Sequence, residues 1–164
     1  TIEQLNVTPI RKVEFIVGKL VPFMIIALFE LAFGLTIGRL FFHIPMVGNL
    51  GLLFGFTVVY LLVVLGLGLF ISTISSTQQQ VMFIAFFFML VFILMSGIFT
   101  PTESMPVWAQ RVNIINPFYY FMRVIRMILL KGSGFWDISY EFFSLLVYAI
   151  IMLSLSVWRY RKVA

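Results

Sequence analysis

The chain has 164 residues, of which 62% are hydrophobic and 10% are charged. A soluble domain carries about 25% charged residues to cover its surface, so this composition excludes an ordinary water-soluble globule. With no cysteine, the chain offers neither a disulfide framework nor a cysteine-based metal site. The net charge of +5 includes a basic terminal segment, residues 158–162. Beside an apolar stretch, such a segment is typical of a cytoplasmic membrane flank and does not indicate nucleic acid.

Long apolar segments predict an all-α polytopic membrane protein. About 20 apolar residues are needed to cross about 30 Å of hydrocarbon, and a span in lipid satisfies its own backbone only as a helix. A transmembrane barrel would show short alternating segments, whereas the apolar runs here are unbroken. Four segments qualify as transmembrane helices: residues 15–39, 46–74, 79–99 and 138–158.

The connections between these spans differ in character. A short turn at 43–45 joins the first two spans, and a polar turn at 72–80 joins the second and third. The connection at 100–137 is longer, and its three prolines, Pro101, Pro106 and Pro117, break any continuous helix. We therefore predict two short helices within 100–132 that lie in the membrane surface or re-enter it.

Local signals place these two short helices. Ser104 is expected to cap the first, which would open at Met105 and Pro106. Asn116 is expected to cap the second, which would open at Pro117 and stop before Gly132.

Four spans place both ends of the chain on one side of the membrane. Six Lys and Arg residues flank that side and five the other, and the positive-inside rule weighs dense flanks close to span ends most heavily. Because the C-terminal tail is the densest flank, we predict that both ends are cytoplasmic. The chain begins at Thr1 without an initiator Met or signal peptide, so we expect it to be a fragment that lacks upstream sequence.

Glu30 is predicted to be the only acidic residue deep inside a span. A carboxylate at the bilayer centre costs about 2.5–3.5 kcal/mol, so it needs a partner, a proton or a water-filled cavity. Two alternatives remain open. Glu30 lies on a substrate or proton path, or it makes a protonated or hydrogen-bonded contact between helices.

Small and basic residues supply further candidates. Gly34 and Gly38 form one GxxxG pattern, Gly51 and Gly55 form another, and the two are predicted to pack together. Arg123 and Arg126 are one turn apart on the second short helix. Together these arginines would bind an anion, or they would extend separately to the membrane interface.

No enzyme is predicted. The sequence contains no Walker A pattern, and its single histidine and scattered acids have no metal-ligand spacing.

Three stretches resemble the permease subunit of type-2 ABC exporters, the ABC-2 family. They are Glu3–Ile10 followed by Glu14 and Gly18-Lys19-Leu20, then Ile71–Gln80, and finally Ser96–Pro106 with Asn116-Pro117 and Leu130-Lys131-Gly132. They cover nearly the whole chain in the order that the family has.

The resemblance implies an architecture. Such permeases have six spans, of which this chain would hold the last four, in a bacterial inner membrane. The segment 1–12 would be a cytoplasmic coupling helix that contacts an ATPase, and the region 100–131 would be an outer re-entrant hairpin. The coupling residues would be Leu5, Thr8, Pro9, Arg11 and Lys12.

The resemblance also implies partners and an activity. Two permeases, identical or different, would assemble with two ABC ATPase subunits in the lipid bilayer. ATP and magnesium would bind to the ATPase and not to this chain. The complex would export a drug-like, lipid-like or other amphipathic substrate. A secondary transporter, a channel and a structural membrane subunit are the alternatives, and several buried charges would favour the first two.

Overall fold

The computed structural model describes residues 11–159, apart from the side chain of Lys12. Four helical segments, Val13–Phe41, Leu50–Ile74, Gln78–Met95 and Phe135–Arg159, are long and apolar enough to cross a membrane. The prediction of an all-α fold with four membrane spans is therefore confirmed. In chain order the helices are α1 (Lys12–Phe41), α2 (Leu50–Ile74), α3 (Gln78–Met95), α4 (Val107–Val112), α5 (Pro117–Lys131) and α6 (Ser139–Arg159), with 3-10 turns at Thr102–Ser104, Asn113–Ile115 and Phe135–Ile138.

The ends of the spans are set by local hydrogen bonds. The side-chain oxygen of Asn49 accepts from the Gly51 N–H at 2.9 Å, so α2 begins at Leu50 and the predicted start at Met46 is wrong. Helix α3 ends at Met95, because the chain turns at Ser96 and Gly97 adopts a φ of 93°. The predicted end of this span at Phe99 is therefore also wrong.

The core lies where α2, α5 and α6 meet. Fully buried apolar side chains from all three helices form it, among them Phe56 of α2, Ile128 of α5 and Leu145 of α6. Helix α6 also bonds directly to α2, since the buried Ser156 hydroxyl donates to the Gly66 carbonyl oxygen at 3.0 Å. A Cβ added at Gly66 would lie 3.3 Å from the Cβ of Met152, so the missing side chain permits this close approach.

Helices α1 and α3 are peripheral. Only 6% of the residues in the most apolar window of each helix are buried, against 39% for α2. Large apolar side chains such as Phe29 and Phe83 are more than two-thirds exposed. These faces are not covered by residues 11–159, so lipid or further protein must cover them.

The predicted contact between the two glycine faces is wrong within the described residues. A Cβ added at Gly34 or Gly55 would meet nothing within 4 Å. Nearby residues of the chain, Ile44 and Asn49, provide the nearest atoms to Gly38 and Gly51, each at 3.1 Å. The reason is that α1 packs against the core through Leu35 and so does not present its glycine face to α2.

Candidate functional site: the hairpin between the last two spans

The segment from α4 to α5 forms a hairpin that enters the helix bundle and turns back. At its turn, the Ile115 carbonyl oxygen accepts from the Tyr148 hydroxyl at 3.0 Å. Just after the turn, the ring centroids of Phe121 and Tyr60 are 4.3 Å apart. Tyr148 and Tyr60 lie about 13–15 Å along their helices from Ser139 and Leu50, at 1.5 Å per residue. The turn therefore lies at this depth along the bundle, with Ile114 and Ile115 more than half exposed at its surface.

Asn116 holds the turn in place. Its side-chain oxygen accepts from the Phe118 N–H at 3.0 Å, which confirms the predicted cap of α5. Its amide nitrogen donates to the Phe92 carbonyl oxygen at 2.8 Å and to Asn113 Oδ1 at 3.2 Å, and the residue is fully buried. The last carbonyls of a helix lack partners within it, so Asn116 caps the start of α5 and the end of α3 together.

The first arm of the hairpin is organised by its prolines. Helix α4 begins at Val107, directly after Pro106, and has no side-chain cap. The predicted cap at Ser104 is wrong, because its hydroxyl donates to the Pro101 carbonyl oxygen at 2.7 Å within a 3-10 turn. Pro117 occupies the first position of α5, where its missing N–H costs nothing.

The far end of α5 meets the linker between α1 and α2, residues 42–49. Gly132 ends α5 with a φ of 65°, as predicted, and the Ser133 N–H donates to the Met127 carbonyl oxygen at 3.0 Å. The Val47 N–H donates to the Leu129 carbonyl oxygen at 3.2 Å. The linker and the hairpin thus lie at one end of the bundle.

An ion pair joins the hairpin to the last span. Arg123 Nε lies 3.0 Å from Glu141 Oε1, and the side chain of Glu141 is 3% exposed against 52% for Arg123. The Arg123 guanidinium also donates to the Tyr119 hydroxyl at 3.2 Å, and this bond raises the pKa of Arg123. The other carboxylate oxygen of Glu141 is buried and has no hydrogen-bond partner among residues 11–159.

Glu141 is a buried acid that the sequence did not single out. It lies in the predicted span 138–158, close to its first residue, and the structure buries it. No short-range pattern indicates its pairing with Arg123, because the contact depends on how α5 packs against α6. Position near the end of a span did not indicate burial.

Both arginines of α5 bond to protein groups. Arg126 donates to the Gly97 carbonyl oxygen at 2.9 Å, beside the end of α3, while Arg123 pairs with Glu141. Within the described residues, the two arginines therefore do not form a free pair of cations for binding an anion. The hairpin is instead bonded to α3 and to α6.

The remaining predicted residues lie away from the hairpin. Glu30 is exposed on α1, and its side chain has no hydrogen bond or ion pair with any residue in 11–159. Arg11 is exposed before α1, and its backbone N–H donates to Glu14 Oε2 at 3.2 Å. Leu5, Thr8 and Pro9 lie outside the described residues. Within the described range there is no group of three or more His, Asp or Glu residues that could hold a metal ion.

Comparison with known proteins gives the family. The sequence model of the ABC-2 type transporter family matches residues 1–130. The chain is 40% identical over 134 residues to the probable multidrug ABC transporter permease YbhR of Escherichia coli K12, covering 82% of this chain and 36% of that protein. It is 32% identical over 136 residues to the probable multidrug ABC transporter permease YbhS of Escherichia coli K12, covering 81% of this chain and 36% of that protein.

A further relative is matched over almost the full chain. The inner membrane transport permease YhhJ of the same organism is 26% identical over 165 residues, which is 99% of this chain and 44% of that protein. The chain thus spans about a third of the length of YbhR and YbhS. No solved structure matches. Since the family match covers the first three spans and most of the hairpin, this multi-pass membrane chain belongs to the ABC-2 type transporter family.

Proposed function

We propose that this chain is the membrane part of a permease subunit of an ATP-driven exporter in a bacterial inner membrane. The observation that carries the proposal is the family match over residues 1–130. The similarity to proteins named as multidrug ABC transporter permeases supports the same assignment. ATP and magnesium bind to a separate ABC ATPase subunit, and a second permease copy completes the complex.

In this proposal residues 1–12 form the coupling segment that contacts the ATPase in the cytoplasm. Helix α1 continues without a break from Lys12 to Phe41, a length of about 45 Å at 1.5 Å per residue. At its other end the linker 42–49 bonds to α5 through Val47. A displacement at Arg11 and Lys12 therefore has a continuous route to the outer hairpin.

The substrate is proposed to be amphipathic and drug-like or lipid-like. The exposed side of α3 presents an open, largely apolar surface that suits such a substrate. Flexible methionines suit substrates of varied shape, and the amide of Gln79 provides a polar contact at one end of this surface. The residues of this surface are Gln79, Met82, Phe83, Ala85, Phe86 and Met89. The alternative of Glu30 on the substrate path also remains a prediction.

The test uses the full-length permease with its ATPase in liposomes. Reversing the charges of Arg11 and Lys12 to glutamate is expected to abolish copurification of the ATPase and substrate-stimulated ATP hydrolysis, while membrane insertion persists. The matched control is Arg159→Glu, the same reversal of an exposed residue at the same end of the bundle. That variant should keep both activities.

Two outcomes would overturn parts of the proposal. If the Arg11 and Lys12 variant kept ATPase association and transport, the coupling assignment would be wrong. If the wild-type protein transported its substrate with an ion gradient and without any ATPase, it would be a secondary transporter.

A further inference from the structure

Glu30 occupies an unusual position in the described residues. It lies on α1 eleven residues before the last residue, Phe41, which is about 16 Å from that end at 1.5 Å per residue. Its side chain is exposed, and no residue in 11–159 forms a hydrogen bond or an ion pair with it. The carboxyl group thus points away from the four-span unit at the depth of the hydrocarbon.

Lipid is an unsuitable neighbour for this group. Ionisable side chains at this depth face the interior of a helix bundle or a water-filled cavity, and they pair with other polar groups. Since α2 to α6 leave Glu30 uncovered, any protein group that pairs with it comes from outside residues 11–159.

The surface beside Glu30 is shaped to receive a helix. Gly34 is one turn further along α1 and shares a face with Glu30, and a Cβ added there would meet nothing within 4 Å. Small residues let two helix backbones approach closely in a membrane. A carboxyl group and a glycine on one uncovered face therefore favour a protein helix over an acyl chain.

A second copy of this chain is a poor occupant of this face. A two-fold contact is formed by the same patch on both copies, so it would bring two Glu30 carboxyl groups together. Like charges at short range cannot both remain ionised. The chemistry of the face instead requires a different helix that carries a hydrogen-bond donor or a positive charge.

We propose that a further membrane span of the longer permease polypeptide packs on the face formed by Glu30 and Gly34. That span presents an amide, hydroxyl or cationic donor to the Glu30 carboxyl group. The inference rests on the proposed function in one respect, that the working permease is longer than this chain, as YbhR and YbhS are. It assigns Glu30 to assembly of the subunit rather than to the substrate path.

The first test measures the melting temperature of the purified full-length permease with Glu30→Leu and with Glu30→Gln. If the donor is present, leucine leaves it unpaired and lowers the melting temperature, whereas glutamine still accepts a hydrogen bond and retains most of the stability. If Glu30 faced lipid, leucine would raise the melting temperature or leave it unchanged, and this result would overturn the inference. Phe29→Leu, at a side chain that is 72% exposed, controls for substitution on α1.

The second test measures the accessibility of the face, in a full-length background without other cysteines. A nitroxide spin label attached at Gly34→Cys should collide less often with dissolved oxygen than one at Ile25→Cys, which lies nine residues earlier, on the opposite side of α1. Equal collision rates would show that the face is open to lipid. Oxidative cross-linking of two Gly34→Cys copies would assign the face to a second permease. Either result would overturn the inference, and neither readout depends on transport or on the ATPase.

Discussion

Arg123 and Glu141 differ in their access to water, and this difference makes their contributions to stability unequal. Arg123→Ala would leave a buried carboxylate unpaired, at a cost of about 1–3 kcal/mol. Glu141→Gln would leave an arginine that is 52% exposed and still bonded to Tyr119. We therefore expect Arg123→Ala to reduce the free energy of unfolding more than Glu141→Gln does, as measured by thermal denaturation of the full-length permease in detergent.

The double variant sharpens this prediction. Adding Glu141→Gln to Arg123→Ala should recover part of the lost stability, because it removes the unpaired charge. Arg111→Ala is the control, since Arg111 is exposed on the same hairpin and its side chain has no hydrogen bond or ion pair within residues 11–159. If all three single variants had equal melting temperatures, the ion pair would contribute nothing to the attachment of the hairpin.

Single residues were predictable where their effect is local. The cap at Asn116 and the stop at Gly132 depend on the backbone within a few residues, so sequence alone identified them. The second bond of Asn116, to Phe92, joins residues 24 apart, and no short-range pattern indicates it. The pairing of Arg123 with Glu141 was likewise missed, because it depends on how α5 packs against α6.

At the scale of the helix, the close contact between the linker 42–49 and α5 depends on Gly48. A Cβ added at Gly48 would overlap the Ile128 carbonyl oxygen, which is backbone and cannot move aside. We expect Gly48→Ala to cost about 1–3 kcal/mol, the usual range for overpacking. Thermal denaturation of the full-length permease would measure this loss.

Gly55→Ala is the matched control for this substitution. It makes the same chemical change inside α2, where the added Cβ would have open space. Alanine in a helix interior is about 0.5–1 kcal/mol more favourable than glycine, so this variant should be neutral or stabilising. Equal effects of the two substitutions would contradict the close approach of the linker to α5.

Whole helices were predicted better than the faces through which they pack. Long apolar runs identify spans directly, and errors at their ends came from caps such as Asn49 and from the turn at Gly97. The rotation of a helix about its axis is not encoded in a run that is apolar on every side. The glycine patterns of α1 and α2 therefore suggested a contact that the described residues do not make.

At the scale of the whole molecule, the orientation in the membrane is testable through a new disulfide. A Cβ at Gly132 would lie 3.7 Å from the Cβ of Val47, within the range of about 3.5–4.5 Å that disulfides require. If this end of the bundle faces the oxidising periplasm, Val47→Cys with Gly132→Cys should form a disulfide in growing bacteria. A mobility shift of the full-length permease on non-reducing gels, in a background without other cysteines, would measure it.

The control for orientation is a change of the bacterial host strain. The same pair should remain reduced in a strain that lacks its periplasmic disulfide-forming enzyme, and each single cysteine should show no shift. If the pair stayed reduced in both strains but formed a disulfide after extraction with an added oxidant, the linker would face the cytoplasm. The proposed placement of both chain ends in the cytoplasm would then be wrong.

The dependence of the hairpin on α6 also constrains biogenesis. Tyr148 donates a hydrogen bond to Ile115 at the turn, and Glu141 pairs with Arg123 of the hairpin. The ribosome synthesises both Tyr148 and Glu141 after the hairpin itself. When α4 and α5 leave the translocon, their partners on the last span do not yet exist. The hairpin therefore reaches its final depth only after α6 has been inserted, which makes its docking a late, post-insertion step in the maturation of the subunit.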